Sequence, residues 1–277
     1  MAATPRIEPY VGQVFEPRAV SVDESELAAY RAGLDVPAEP NPPQMYAGAW
    51  DAGNGALFSQ QRGHLWLRQE WELHQPIREG ITYTASGRVV DIYPRRERTI
   101  LLTETEVRDQ SGALVSIQRH HQSFLLDQPP TGEVQLRAPS EKEGARASSG
   151  PPAGDELGVL ERTVTLEMCG LFFHGSRSYH SDKEQSQALG FQDVVVGGRM
   201  SMGLAGEVLD RALGERWATS GRLLVKFTNV LWPGEPIRVT ARTTGPLADD
   251  PARTGVYAWV EKADSTVVLV AEGSVAS

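Results

Sequence analysis

A chain of 277 residues, 40% hydrophobic and 23% charged, has the composition of a folded globular protein and can bury one large core or two ordinary ones. Its net charge of -9, with the basic residues dispersed, argues against nucleic acid as a partner, because phosphate binding needs a basic face. No run approaches the roughly 18 apolar residues of a membrane helix, no basic-then-apolar leader opens the chain, and the one cysteine, Cys169, has no partner for a disulfide or a metal cluster. A cytoplasmic location and a core role for Cys169 are therefore expected.

Residues 1–20 mix proline and glycine with polar residues and read as an arm or an edge strand. A helix follows, with Ser21 or Asp23 as cap, acids in its first turn and Gly33 as a stop. Prolines from Pro37 to Pro43 break it. Residues 44–65 carry aromatics but also Gly48, Gly53, Gly55 and Gly63, so any helix there is short or broken. From residue 65 the pattern alternates. Segments 65–74, 81–93, 98–109 and 113–126 have strand length and end at turn signals, which predicts an antiparallel meander. The cluster Arg95, Arg96 and Arg98 reads as a solvated turn in this meander, or as a contact for a phosphorylated carrier such as coenzyme A. Proline, glycine, serine and charge make 127–158 a linker. Beyond it, 159–171 reads as a strand, 182–189 as a short helix and 196–213 as a long amphipathic one; 222–230, 236–243, 255–260 and 266–276 again read as strands.

A repeat organises this list. The segment from Trp71 to Gly80, followed by Tyr83, matches Val225 to Gly234, followed by Ile237. Later, the segment from Val107 to Val115 matches Val260 to Val268, so both halves end in a β-hairpin. Two copies of one small α+β unit account for the length, giving an N-terminal unit 1–126, the linker 127–158 and a C-terminal unit 159–277.

On these residues the chain resembles the MaoC-like hydratase/dehydratase family and its double hot-dog members. The resemblance rests on Tyr179-His180-Ser181-Asp182, the Ala188 to Phe191 segment, Val194 to Ser201, Gly221 to Phe227, and Trp232-Pro233-Gly234. In the first half it rests on Gln69 to Glu72 and Pro76 to Gly80. It implies an α+β fold of two antiparallel sheets, each wrapped on a central helix, with 196–213 as the second unit's helix and a degraded counterpart near 44–65 that leaves room for a bulky acyl group.

The same resemblance implies an enoyl hydratase or 3-hydroxyacyl dehydratase acting on an acyl thioester. Coenzyme A or the phosphopantetheine of an acyl carrier protein would carry the substrate, with no metal, no redox cofactor and no membrane, in a monomer or homodimer. His180 matches the family's base. Gly197 and Gly198, at the start of the central helix, offer backbone N–H groups to the thioester oxygen. The family's Asp and Asn fall on Gly175 and Arg177. Ser176, Tyr179 and Arg177 are therefore the further catalytic candidates, with His174, Asp182 and Arg199 as substrate contacts; Asp182 also reads as a helix cap. Arg177 invites a substrate with an additional carboxylate or carbonyl. His120 and His121 alternate on a strand and cannot share a metal, and Ser176 with His180 lacks the glycine pattern of a hydrolase elbow. Two other readings fit the same residues: a weakened thioester-binding subunit that pairs with an active hydratase, and another hot-dog activity such as a cyclase or thioesterase.

Overall fold

The computed structural model describes residues 9–51, 62–95, 98–125, 150–173, 178–188 and 191–277, and only the backbone of 62–65, 124 and 125. Its ten strands are β1 (Arg18–Ser21), β2 (Arg62–Leu73), β3 (Thr82–Arg95), β4 (Arg98–Arg108), β5 (Leu114–Leu125), β6 (Glu156–Thr163), β7 (Arg222–Phe227), β8 (Pro236–Pro246), β9 (Arg253–Lys262) and β10 (Val267–Ala276). They form one antiparallel sheet in the order β1-β3-β4-β5-β2-β7-β10-β9-β8-β6. Where two sheets were expected, the halves join edge to edge through β2 and β7, with Gln69 opposite Val225 and Trp71 opposite Leu223. Pairing these edges satisfies backbone groups that each unit would otherwise leave open.

The order is symmetric about that seam: β1 to β5 take the same places in one half as β6 to β10 in the other. The turn conformations repeat as well. Gly80 and Gly234, aligned in the sequence repeat, have φ of 74° and 89°; Gly112 and its counterpart Ser265 have 84° and 65°. In both β-hairpins the turn closes alike, with Gly112 N–H donating to Asp109 O and Ser265 N–H to Lys262 O.

Helix α1 (Glu24–Leu34) is capped by Asp23, whose carboxylate accepts the Glu26 N–H. It stops at Asp35 in the left-handed region and not at Gly33. Gly33 serves close packing instead, since a Cβ there would stand 2.5 Å from the Cβ of Phe172. Residues 159–171 are not one strand. β6 ends at Thr163, and Thr165 caps α2 (Leu166–Phe172) by accepting the Met168 N–H. Cys169 lies buried on α2, as expected of a core residue, and burial pushes its thiol up to about 11. A short α3 (Lys183–Ala188) precedes α4 (Gly198–Ser220), which packs on the sheet against β2, β6, β8, β9 and β10. The expected end at Leu213 coincides with a break at Gly214, φ 54°, after which the chain coils on to Ser220. Among the described residues, no helix is long and apolar enough to cross a membrane.

The first unit has a 3-10 helix, Gln44–Trp50, where the second has α4. It packs on α4 itself: a Cβ on Gly206 would overlap Met45, and one on Gly48 would meet Met202 and Trp71. Trp71, fully buried, donates its indole N–H to Met202 Sδ (3.4 Å). One central helix thus fills the core of both halves. Of the expected linker, 127–149 lies outside the described residues, and its last residues belong to β6.

Candidate active site

The segment leading into α4 is tied to the 178–182 loop by backbone bonds. Val195 donates its N–H to Tyr179 O (3.1 Å), and its own carbonyl lies 2.8 Å from His180 Nδ1. A carbonyl only accepts, so Nδ1 carries a proton, and in the neutral ring Nε2 is the atom with the lone pair. The imidazole stacks on Phe173 (4.8 Å, 15°) and lies 3.9 Å from the Tyr179 ring, with centroids as the reference points. Backbone orientation and ring stacking together give a fixed imidazole of defined tautomer. That is what a general base requires of its surroundings.

Burial pushes the Tyr179 phenol up to about 12. At neutral pH Tyr179 can therefore donate a hydrogen bond but cannot act as a base. Asp182 accepts the Gln185 N–H (3.0 Å) and so caps α3. His174, Gly175, Ser176 and Arg177 lie outside the described residues, so the structure does not place the expected roles of His174, Ser176 and Arg177.

Gly197 is the N-cap of α4 and Gly198 its first residue. The first turn leaves N–H groups without helical acceptors, which suits a developing oxyanion. The small size of these glycines is also used for packing. A Cβ on Gly197 would overlap the Phe173 ring, and one on Gly198 would stand 3.0 Å from both Trp66 Cε3 and Phe227 Cε1. Phe173 therefore touches both the candidate base and the candidate oxyanion site.

Arg199 is directed elsewhere. Its guanidinium lies over the Phe172 ring, 5.3 Å from the centroid, and its Nε has no hydrogen-bond partner. Desolvation lowers its pKa against the fields of Tyr30, Tyr46 and Glu26, which places it toward α1 and the 3-10 helix. A cavity of about 560 Å³ lies at the far end of α4, between Arg31, Gln44, Glu207, Asp210 and Gly214, and none of the candidate site residues among the described ones lines it. Its carboxylates are perturbed: desolvation, with Glu207 nearby, pushes Asp210 up to about 8.

His120 and His121 occupy opposite faces of β5. His120 stacks on Trp66 and its Nδ1 lies 3.6 Å from Asp51; His121 bonds Tyr93 and Glu70 on the other side. The inner face around His120 was not singled out in the sequence. Gln69, His120 and Thr103 stand opposite one another across β2, β5 and β4, with Gln118 and Thr105 in the next row. All five are buried. The available signal was β5 itself, a central strand with polar residues at both parities.

No family model matches this sequence, and no curated protein does either. Solved structures do. A MaoC-like dehydratase from Phytophthora capsici is 15% identical with a TM-score of 0.68, over 99% of this chain and 98% of that one. A Mycobacterium tuberculosis protein described as a double hot-dog fold is 17% identical with a TM-score of 0.60, over 97% and 98%. A putative oleoyl thioesterase from Lactobacillus plantarum is 11% identical with a TM-score of 0.60, over 96% and 97%. These likenesses establish the double hot-dog fold over nearly the whole chain.

Proposed function

We propose that this double hot-dog protein adds water to, or removes it from, the 2,3 double bond of an acyl thioester, with His180 as the proton carrier. The observation that carries the reading is the Nδ1–H to Val195 bond, which ties the imidazole to the segment entering α4 and leaves Nε2 as the basic atom of the neutral ring. In hydration, Nε2 takes a proton from water as the hydroxyl adds to C3, and the electron pair moves onto the thioester oxygen as an enolate. The imidazolium then returns its proton to C2, so the net addition is one water. With Gly175 where the family has its Asp, a single imidazole carries the proton both ways. N–H groups at the α4 start hold the enolate oxygen. Coenzyme A or phosphopantetheine carries the acyl group, and the chemistry calls on no further cofactor.

A second reading is favoured by the rings over Gly197 and Gly198: a subunit that binds thioesters without turning them over and pairs with an active hydratase. One experiment separates the two. Purified protein is assayed with crotonyl-CoA, longer 2-enoyl-CoAs and 3-hydroxyacyl-CoAs, alongside His180→Ala and direct binding measurements. Hydration that falls about 10²–10⁴-fold in His180→Ala supports the first reading; binding without turnover supports the second. Turnover unchanged in His180→Ala removes His180 from the mechanism, and neither binding nor turnover removes the thioester reading.

A further inference from the structure

On the thioester reading, the inner face of the first half is the wall that an acyl chain entering past the α4 start would meet, and its chemistry is unusual for a chain-binding wall. Aliphatic chains are bound by apolar side chains. Here two successive rows across β2, β5 and β4 carry Gln69, His120 and Thr103, then Trp71, Gln118 and Thr105. Trp71, on the same face of β2 as Gln69, touches α4 through Met202, which fixes this face as the one turned inward. The rows are continuous with the candidate site: Trp66 meets the side-chain position of Gly198 on one side and stacks on His120 at 4.7 Å on the other.

Several of these polar atoms have no hydrogen-bond partner among the described residues although they are buried. Gln69 Oε1, Thr103 Oγ1 and Gln118 Oε1 are unsatisfied, in residues only 3%, 1% and 2% exposed. The orientation of the Gln118 amide is fixed, because its Nε2 donates to Ala47 O (3.0 Å) and leaves Oε1 as the open atom. Native proteins satisfy nearly all such groups. Gln118 Oε1 can only accept, Gln69 offers an amide oxygen in the orientation seen, and Thr103 Oγ1 can accept as well. Asp51, buried beside them and bonded by Thr105 Oγ1 (3.2 Å), adds negative charge and disfavours a carboxylate. A neutral hydrogen-bond donor is what this wall lacks.

The geometry points to an acyl substrate whose distal carbons carry hydroxyl groups, donated to Gln69 and Thr103. This rests on the thioester reading above and names its substrate class. The test compares 2-octenoyl-CoA with its analogues hydroxylated near the chain end, by binding, by thermal shift and by kcat/KM. Wild type and the variants Gln69→Leu and Thr103→Val are measured together. Wild type is expected to bind a hydroxylated chain about tenfold more tightly, and each variant to lose most of that preference while melting no lower than wild type, since each exchange removes an unsatisfied buried atom. Thr103→Val keeps the side-chain shape, so it decides the question should Gln69→Leu not fold. Equal or tighter binding of plain 2-octenoyl-CoA by wild type overturns the inference alone, as does a preference that survives both variants. If no thioester binds at all, the thioester reading itself fails and this inference falls with it.

Discussion

Gly197→Ala is the substitution that bears most directly on the candidate site, because it keeps the backbone N–H and adds only a methyl. That methyl would stand 2.8 Å from Phe173 Cε2 and closer still to Cζ, against about 3.5–4.0 Å for ordinary carbon contacts. The Phe173 ring must withdraw by roughly 1 Å, and it stacks on His180. A displacement of that size at a catalytic group costs on the order of 10²-fold in rate, whereas overpacking costs about 1–3 kcal/mol in stability. Strain in the new backbone is not an issue, since Gly197 has φ of -63°. The assay is kcat/KM for enoyl thioester hydration, with urea unfolding and the ¹⁵N shift of His180 Nδ1 as independent readings of stability and ring position. Phe173→Leu in the same chain should relieve the overlap, so the pair should couple non-additively. Should Gly197→Ala stay within threefold of wild type with the His180 signal unmoved, Phe173 does not position the base and the packing argument is wrong.

Three further outcomes follow from the structure. Asp182→Ala should cost about 1 kcal/mol through loss of the α3 cap and lower turnover by no more than a few-fold; a loss of orders of magnitude would make Asp182 a partner of the imidazole. Ser265→Gly should raise stability by about 0.5–1 kcal/mol, because the left-handed conformation costs a side-chain residue about 1–2 kcal/mol and glycine returns part of that as chain entropy. Gly112→Ser, in the matching turn, should lose a similar amount, and thermal unfolding of both variants checks the pair. Asp210 has its folded pKa raised to about 8, so it binds its proton more tightly folded than unfolded. Its stabilising contribution is therefore complete below about pH 4 and is lost as pH rises through about 8. Asp210→Asn, which removes that titration, should gain on wild type steadily between pH 5 and about pH 8 and level off above it; a constant difference between pH 5 and pH 8 would show that Asp210 is already ionised.

What the sequence revealed and what it hid divide along physical lines. Strands of the meander were legible because alternation and turn residues act locally, and the repeat was legible because Gly80 and Gly234 must both adopt positive φ. The 159–171 segment misled because Thr163-Val164-Thr165-Leu166 alternates like a strand, while the bond that makes Thr165 a cap forms only once the chain has turned. Gly33 looked like a helix stop because contact with Phe172 comes from a segment far along the chain. His180 and the paired glycines were visible as a motif. The rings that use the space above those glycines came from Trp66, Phe173 and Phe227, and no local pattern connects those three.

The hidden part also explains why one half carries the candidate base. Both halves share their strand order and turn conformations, yet a single long helix serves both, and its glycines and small residues accept α1 and the 3-10 helix of the first half. A second α-helix on the first half's concave face would compete with α4 for the same core. The 3-10 helix instead covers the rows of Trp71 and Gln118 and stops at Trp50. Beyond it stand Gln69 and Thr103, whose open acceptors would be costly against an apolar helix face, at about 1–3 kcal/mol each. Polar residues on those strands and a shortened helix are thus two consequences of one arrangement: the second half supplies the helix start and the imidazole, and the first half presents buried polar strands in place of a second long helix.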